Sequence, residues 1–139
     1  MICEKPNLAI LLFGISYQEK FRHYNNKYVN VSWEISINNY KQYIFSFFEQ
    51  KYNIDYFFCT NDVIENKRQK LLYDFNPKNH QFVSDAECKK HCKFPRNYRL
   101  KKVVEMCLDA SKSYEMILIT RFDLLFQIAF QWENIDLQK

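Results

Sequence analysis

One glycine, Gly14, stands in 139 residues, and that scarcity removes whole classes of phosphate-binding site. A Walker loop and a dinucleotide fingerprint each need two or three glycines, where the backbone turns sharply or approaches a phosphate closely. Neither is encoded. Long apolar runs are lacking too. The longest near the N-terminus, Leu8 to Phe13, is far short of the roughly 20 residues that cross a bilayer, so no membrane span is expected. Met1 to Asn7 mixes charges and Gly14 to Gln18 leads into polar sequence, unlike a secretory leader. The reading is a soluble, cytoplasmic protein. The five cysteines, Cys3, Cys59, Cys88, Cys92 and Cys107, are odd in number and follow no framework spacing, which fits reduced thiols.

What is present fits one compact domain over residues 1–139. Apolar residues make up 47% and charged residues 26%, which excludes a disordered chain. The aromatic share is 18%. Abundant Asn, Lys, Ile, Tyr and Phe with little Gly, Ala and Pro is the pattern of an AT-rich genome, so part of that aromatic content reflects codon bias.

Asn7 to Ile15 is a short apolar run that suits a strand covered on both faces. Ser16 to Val31 reads as a loop, and Ser32 can cap a following helix. From Trp33 to about Lys51 the apolar positions Trp33, Ile37, Tyr40, Ile44, Phe47 and Phe48 trace one helical side. Ile54 to Thr60 predicts the second strand. Asn61 to Lys70 is polar with room for a short helix, and Leu71 to Phe75 is a strand candidate closed by Asn76-Pro77. Lys78 to Pro95 reads as a long surface connection with a helical turn around Asp85 to Lys90. Leu100, Val103, Val104, Cys107 and Ala110 mark a helix over Asn97 to Ser113, followed by a strand over Met116 to Phe126. Apolar strands alternating with amphipathic helices predict an α/β fold: a mostly parallel sheet in three layers, with helices on both faces. In such sheets ligands gather at the carboxyl ends of the strands. With Met116 to Ile119 buried on both sides, Arg121 and Asp123 would emerge past that edge, two apart and facing one way.

Several pieces, in this order, carry a resemblance: LAILLFGIS at Leu8 to Ser16, NNYKQYIFSFF at Asn38 to Phe48, IDYFFCTN at Ile54 to Asn61, LLYDFNPK at Leu71 to Lys78, and RNYRLKKVVEMC through ILITRFDLLF. The chain resembles the N-terminal, nucleotide-sugar-binding half of a GT-A type glycosyltransferase, of the sort found in capsular-polysaccharide clusters and large DNA viruses. The resemblance implies a Rossmann-like sheet holding a nucleotide-diphosphate sugar, with transfer of the sugar to a glycan or protein acceptor. It also implies an acidic motif gripping a divalent metal, Mn or Mg, and the pyrophosphate. Asp123 is the position that carries over as metal ligand. Arg121 stands where the first acid of that motif would be, and an arginine can hold phosphate directly through its forked donors. In the family an acceptor half follows the acidic motif. The chain reads as the donor-binding half, and no catalytic residue is assigned.

Each candidate has a plainer reading beside the functional one. Arg121 and Asp123 could be an ion pair closing a strand, contributing about 0–1 kcal/mol. Thr60, Asn61 and Asp62 could meet a base or ribose, or form a turn in which Asn and Asp bond their own backbone. Gly14 and Ser16 could admit a nucleotide to the backbone or simply turn the chain. Lys89 to Lys102 holds seven Lys or Arg and no acid, leaving 13 of the 20 basic residues against 16 acidic ones elsewhere. This run could draw a diphosphate or anionic acceptor, or remain a solvated face. Nucleic acid, with Phe94 and Tyr98 as stacking faces, is the least favoured partner. The alternative to a transferase is a non-catalytic interaction module using this run on an acidic partner or nucleic acid. Cys88, His91 and Cys92 with His80 lack the second Cys pair of a structural zinc site.

Overall fold

The computed structural model describes residues 4–22 and 28–122, with the side chains of 20–22 and 28–29 left aside. Four strands form one parallel sheet: β1 (Asn7–Gly14), β4 (Asn53–Thr60), β5 (Asn79–Phe82) and β6 (Met116–Arg121), in the order β5-β4-β1-β6. β1 sits between β4 and β6, with Asn7 to Gly14 opposite Asn53 to Thr60, and Leu8 to Phe13 opposite Met116 to Arg121. The alternation of β1 divides the interior in two. Leu8, Ile10 and Leu12 face one cluster with Trp33, Ile37, Tyr40, Ile44, Phe45, Phe48, Leu71 and Phe75. Ala9 and Leu11 face the other with Cys88, Tyr98, Val103 and Cys107. Helices therefore cover both faces in three layers, as the periodicity predicts.

Ser32 caps the first helix as expected, its hydroxyl accepting from the Glu34 N–H at 3.1 Å. That helix runs through α1 (Trp33–Tyr40), a π-helical turn (Lys41–Phe45) and α2 (Ser46–Glu49). The wider turn shifts the phase of the apolar stripe, so that Phe45 is buried where the regular spacing predicts Phe47. Pro95 opens α5 (Pro95–Asp109), whose buried side carries Tyr98, Arg99, Val103 and Cys107. α4 (Asp85–Lys89) is the helical turn expected there, capped by Ser84.

Four expectations are corrected. The surface connection expected over Lys78 to Pro95 opens with a strand of the sheet, β5, which pairs parallel with β4. Where a loop is expected over Ser16 to Val31, β2 (Tyr17–Arg22) and β3 (Tyr28–Ser32) pair antiparallel, Tyr17 opposite Ser32. Alternating Tyr17, Phe21, Val29 and Val31 is the strand signal hidden in that polar composition. Leu71 to Phe75 is not a strand but the end of α3 (Glu65–Phe75). Leu71 and Phe75 are buried one turn apart while Tyr73 is 85% exposed, where a strand would put all three on one face. Asn76, at φ 44° and ψ 59°, closes the helix in the left-handed region just before Pro77. Finally, among the described residues β6 is not covered on both sides. It is the outer strand of the described sheet, and Ile117 and Ile119 are 45% and 46% exposed. Among the described residues no helix is long and apolar enough to cross a membrane.

Candidate functional site

All four strands point the same way, so their carboxyl ends share one rim. Along the chain the strands are laid down β1, β4, β5 outward and then β6 on the opposite side of β1. The direction of winding therefore reverses between β1 and β6, the position where doubly wound sheets leave a crevice. Gly14 ends β1 there at φ +96°, a conformation that a side chain resists. No described atom lies within 4 Å of where a Cβ on Gly14 would stand. Arg121 is the next position on the neighbouring strand, with Phe13 its register partner.

Ser16, Thr60 and Asn61 come together at this rim, but as a latch. The Thr60 hydroxyl accepts from the Ser16 N–H at 3.0 Å, lies 2.7 Å from the Gly14 carbonyl to which it can donate, and is 2.8 Å from the Ser16 hydroxyl. Asn61 accepts from the same Ser16 N–H at 3.2 Å and donates to the Tyr17 carbonyl at 2.8 Å. All three residues are buried. Their polar groups hold the turn from β1 into β2 against the end of β4, so they shape the rim from beneath and do not offer it hydrogen bonds.

Asp62 behaves differently. Its side chain is 63% exposed and 3.8 Å from Arg68, and it lines a cleft of about 410 Å³ with Tyr17, Gln18, Glu19, Ser84 and Asp85. Behind Asp85 lies a residue that the sequence reading missed in this role. Arg99, buried to 2%, donates to the Asp85 carboxylate and to the Val83 carbonyl, both at 2.7 Å. It fixes the loop leaving β5. The available signal was an arginine one turn before Val103, on the buried side of an amphipathic helix. On the facing wall, the hydrogen bond from the Tyr17 hydroxyl to Glu19 at 2.7 Å raises the tyrosine's pKa.

The end of β6 is held from the other layer. The Tyr40 hydroxyl donates to the Arg121 carbonyl and the Ser36 hydroxyl to the Phe122 carbonyl. Phe122 is fully buried against Phe58 and Phe75. Asp123 lies outside the described residues. Among those described, no group of three His, Cys, Asp or Glu could hold a metal ion. His80 packs on Phe58 and Phe82 on one side of the sheet, while Cys88 belongs to the cluster on the other. Tyr98 is buried, with His91 stacked on its ring at 4.8 Å, so it presents no free face for stacking.

The rim thus runs from an acceptor-rich cleft beside Asp62 at the end of β4 to the end of β6, which carries Arg121, two strand spacings or roughly 10 Å away. No family profile, curated protein or solved structure matches the chain.

Proposed function

We propose that this chain is a glycosyltransferase-like domain that binds a nucleotide-diphosphate sugar along the carboxyl rim of its sheet. The nucleoside lies in the cleft beside Asp62, and the diphosphate passes over Gly14 to Arg121. The observation that carries this reading is the reversal of strand winding beside β1, with Gly14 and Arg121 on the two strands that flank it. Carboxylates at Glu19, Asp62 and Asp85 supply acceptors for ribose hydroxyls and base N–H groups and would repel phosphate. The forked donors of Arg121 suit the phosphate end. If sugar is transferred to a glycan or protein acceptor, Arg121 stabilises charge growing on the departing diphosphate. The described residues do not themselves fit a divalent ion, so no step is assigned to one; Mn or Mg would depend on Asp123.

Thermal melts with UDP-, GDP- and dTDP-sugars, with and without Mn²⁺, test the reading. At a ligand concentration one hundred times Kd the native state gains about 2.7 kcal/mol, a rise of several degrees for a domain of this size. Arg121→Ala should reduce the response to the nucleotide sugar to that of the nucleoside alone, and Asp62→Ala should weaken the response to both. A melting temperature that ignores every nucleotide sugar would overturn the proposal.

A further inference from the structure

The sequence reading ranks nucleic acid last among partners for the basic run, but the geometry of its side chains favours it. Three of the seven basic residues are paired with acids: Arg99 is buried against Asp85, and Lys102 sits 3.3 Å from Glu105. Lys90 is 3.0 Å from Glu87. The remaining four, Lys89, Lys93, Arg96 and Lys101, are exposed and form no ion pair among the described residues. They occupy one corner, from the end of α4 through the first two turns of α5. Two flat rings stand among them. Phe94 is 53% exposed, an unusual position for a phenylalanine, with Lys93 over one face at 5.4 Å. The His91 side chain is 50% exposed and is held flat by Tyr98, with an interplanar angle of 12°. Of the two rings that the sequence offers as platforms, Phe94 stays exposed, while Tyr98 is the support beneath His91.

We propose that this α4–α5 corner binds single-stranded nucleic acid, with bases on Phe94 and His91 and phosphates at Lys93, Arg96 and Lys101. A cation patch alone would suit any polyanion. Exposed flat rings between cations add affinity for unpaired bases, whose faces a duplex hides and a sulfated glycan lacks. The patch is also local, since the rest of the chain carries more acidic than basic residues, which orients a strand onto this corner. The proposal stands apart from nucleotide-sugar binding at the rim, because Asp62 and Arg121 play no part in it.

Fluorescence anisotropy of a labelled single-stranded 12-mer, run as RNA and as DNA over a salt series, tests it on the intact chain. Binding should weaken steeply with salt, and Lys93→Gln, Arg96→Gln and Lys101→Gln should each reduce the log–log slope by about 0.7. Phe94→Ala should weaken binding about tenfold at every salt concentration and leave the slope unchanged. These side chains are exposed, so circular dichroism and the melting temperature should match the parent. Equal affinity for the duplex or for heparin, together with no effect of Phe94→Ala, would overturn the proposal in favour of a general polyanion surface. No detectable binding at low salt would overturn it as well.

Discussion

At the scale of single residues, the informative contrast is between Thr60 and Asp62, two positions apart at the end of β4. Thr60 is fully buried and serves three neighbours, Gly14, Ser16 and Asn61. Asp62 projects into the cleft. Replacing Thr60 with valine keeps the volume but strips the hydroxyl, leaving the Gly14 carbonyl without that donor and the Ser16 N–H with only its 3.2 Å contact to Asn61. Unsatisfied buried groups cost about 1–3 kcal/mol. Urea unfolding should therefore show Thr60→Val destabilised by about that amount and Thr60→Ser nearly unchanged. A Thr60→Val protein as stable as the parent would show that the latch contributes nothing. The sequence places both residues at the strand end. It could not separate the structural threonine from the exposed aspartate, because burial depends on the returning β2 strand, which the polar composition of residues 16–31 conceals.

At the scale of elements, α1 does two jobs from one buried face. Its apolar side fills the core with Trp33, Ile37 and Tyr40, while the hydroxyls of Ser36 and Tyr40, one turn apart, hold the carbonyls at the end of β6. Tyr40→Phe and Ser36→Ala should each destabilise the domain by about 1 kcal/mol. Hydrogen exchange at the Phe122 N–H, bonded to the Phe13 carbonyl at 3.3 Å, should accelerate in both. If exchange there stays unchanged, the helix does not fix this strand end. The strands β1 and β4 and the helices α1 and α5 were legible because their apolar spacing is regular, with Ser32 capping α1 and Pro95 opening α5. The π-helical turn, the hairpin, β5 and the C-terminal part of α3 were not. The first inserts an extra residue per turn without altering composition, and the last packs only Leu71 and Phe75 deeply, too few positions to display a period.

At the scale of the whole molecule, buried and paired ionisable groups set the pH range of stability. Hydrogen bonds from Lys67 and Lys70 hold the Glu34 carboxyl below its usual pKa. Burial pushes the Asp55 carboxyl up, but hydrogen bonds from Tyr114 and Lys112 outweigh it and leave the pKa lowered. Depressed acids stabilise the fold above their unfolded pKa near 4, and that contribution disappears as pH falls through the folded values. At the other end, burial raises the Cys59 thiol to about 12 and also raises Cys88 and Cys107. The unfolded chain ionises its thiols from about pH 8.5, which favours unfolding above that point. The melting temperature should be level between about pH 5 and pH 8.5 and fall on both sides, with Asp55→Asn flattening the acid limb. An acid limb unchanged by that substitution would count against the Asp55 network.

The central strand also bears on how the polypeptide comes off the ribosome. β1 is synthesised before either of the strands it pairs with, since the neighbours of Leu8 in the sheet are Ile54 on one side and Met116 on the other. Its apolar stretch gains a first partner only with Ile54 and lacks the second until Met116 has been made. Long-range parallel pairing of this kind slows acquisition of the native state and leaves sticky segments open to wrong associations. Yield in a heterologous host should therefore respond to cooler growth and to added chaperone more than to the strength of the promoter.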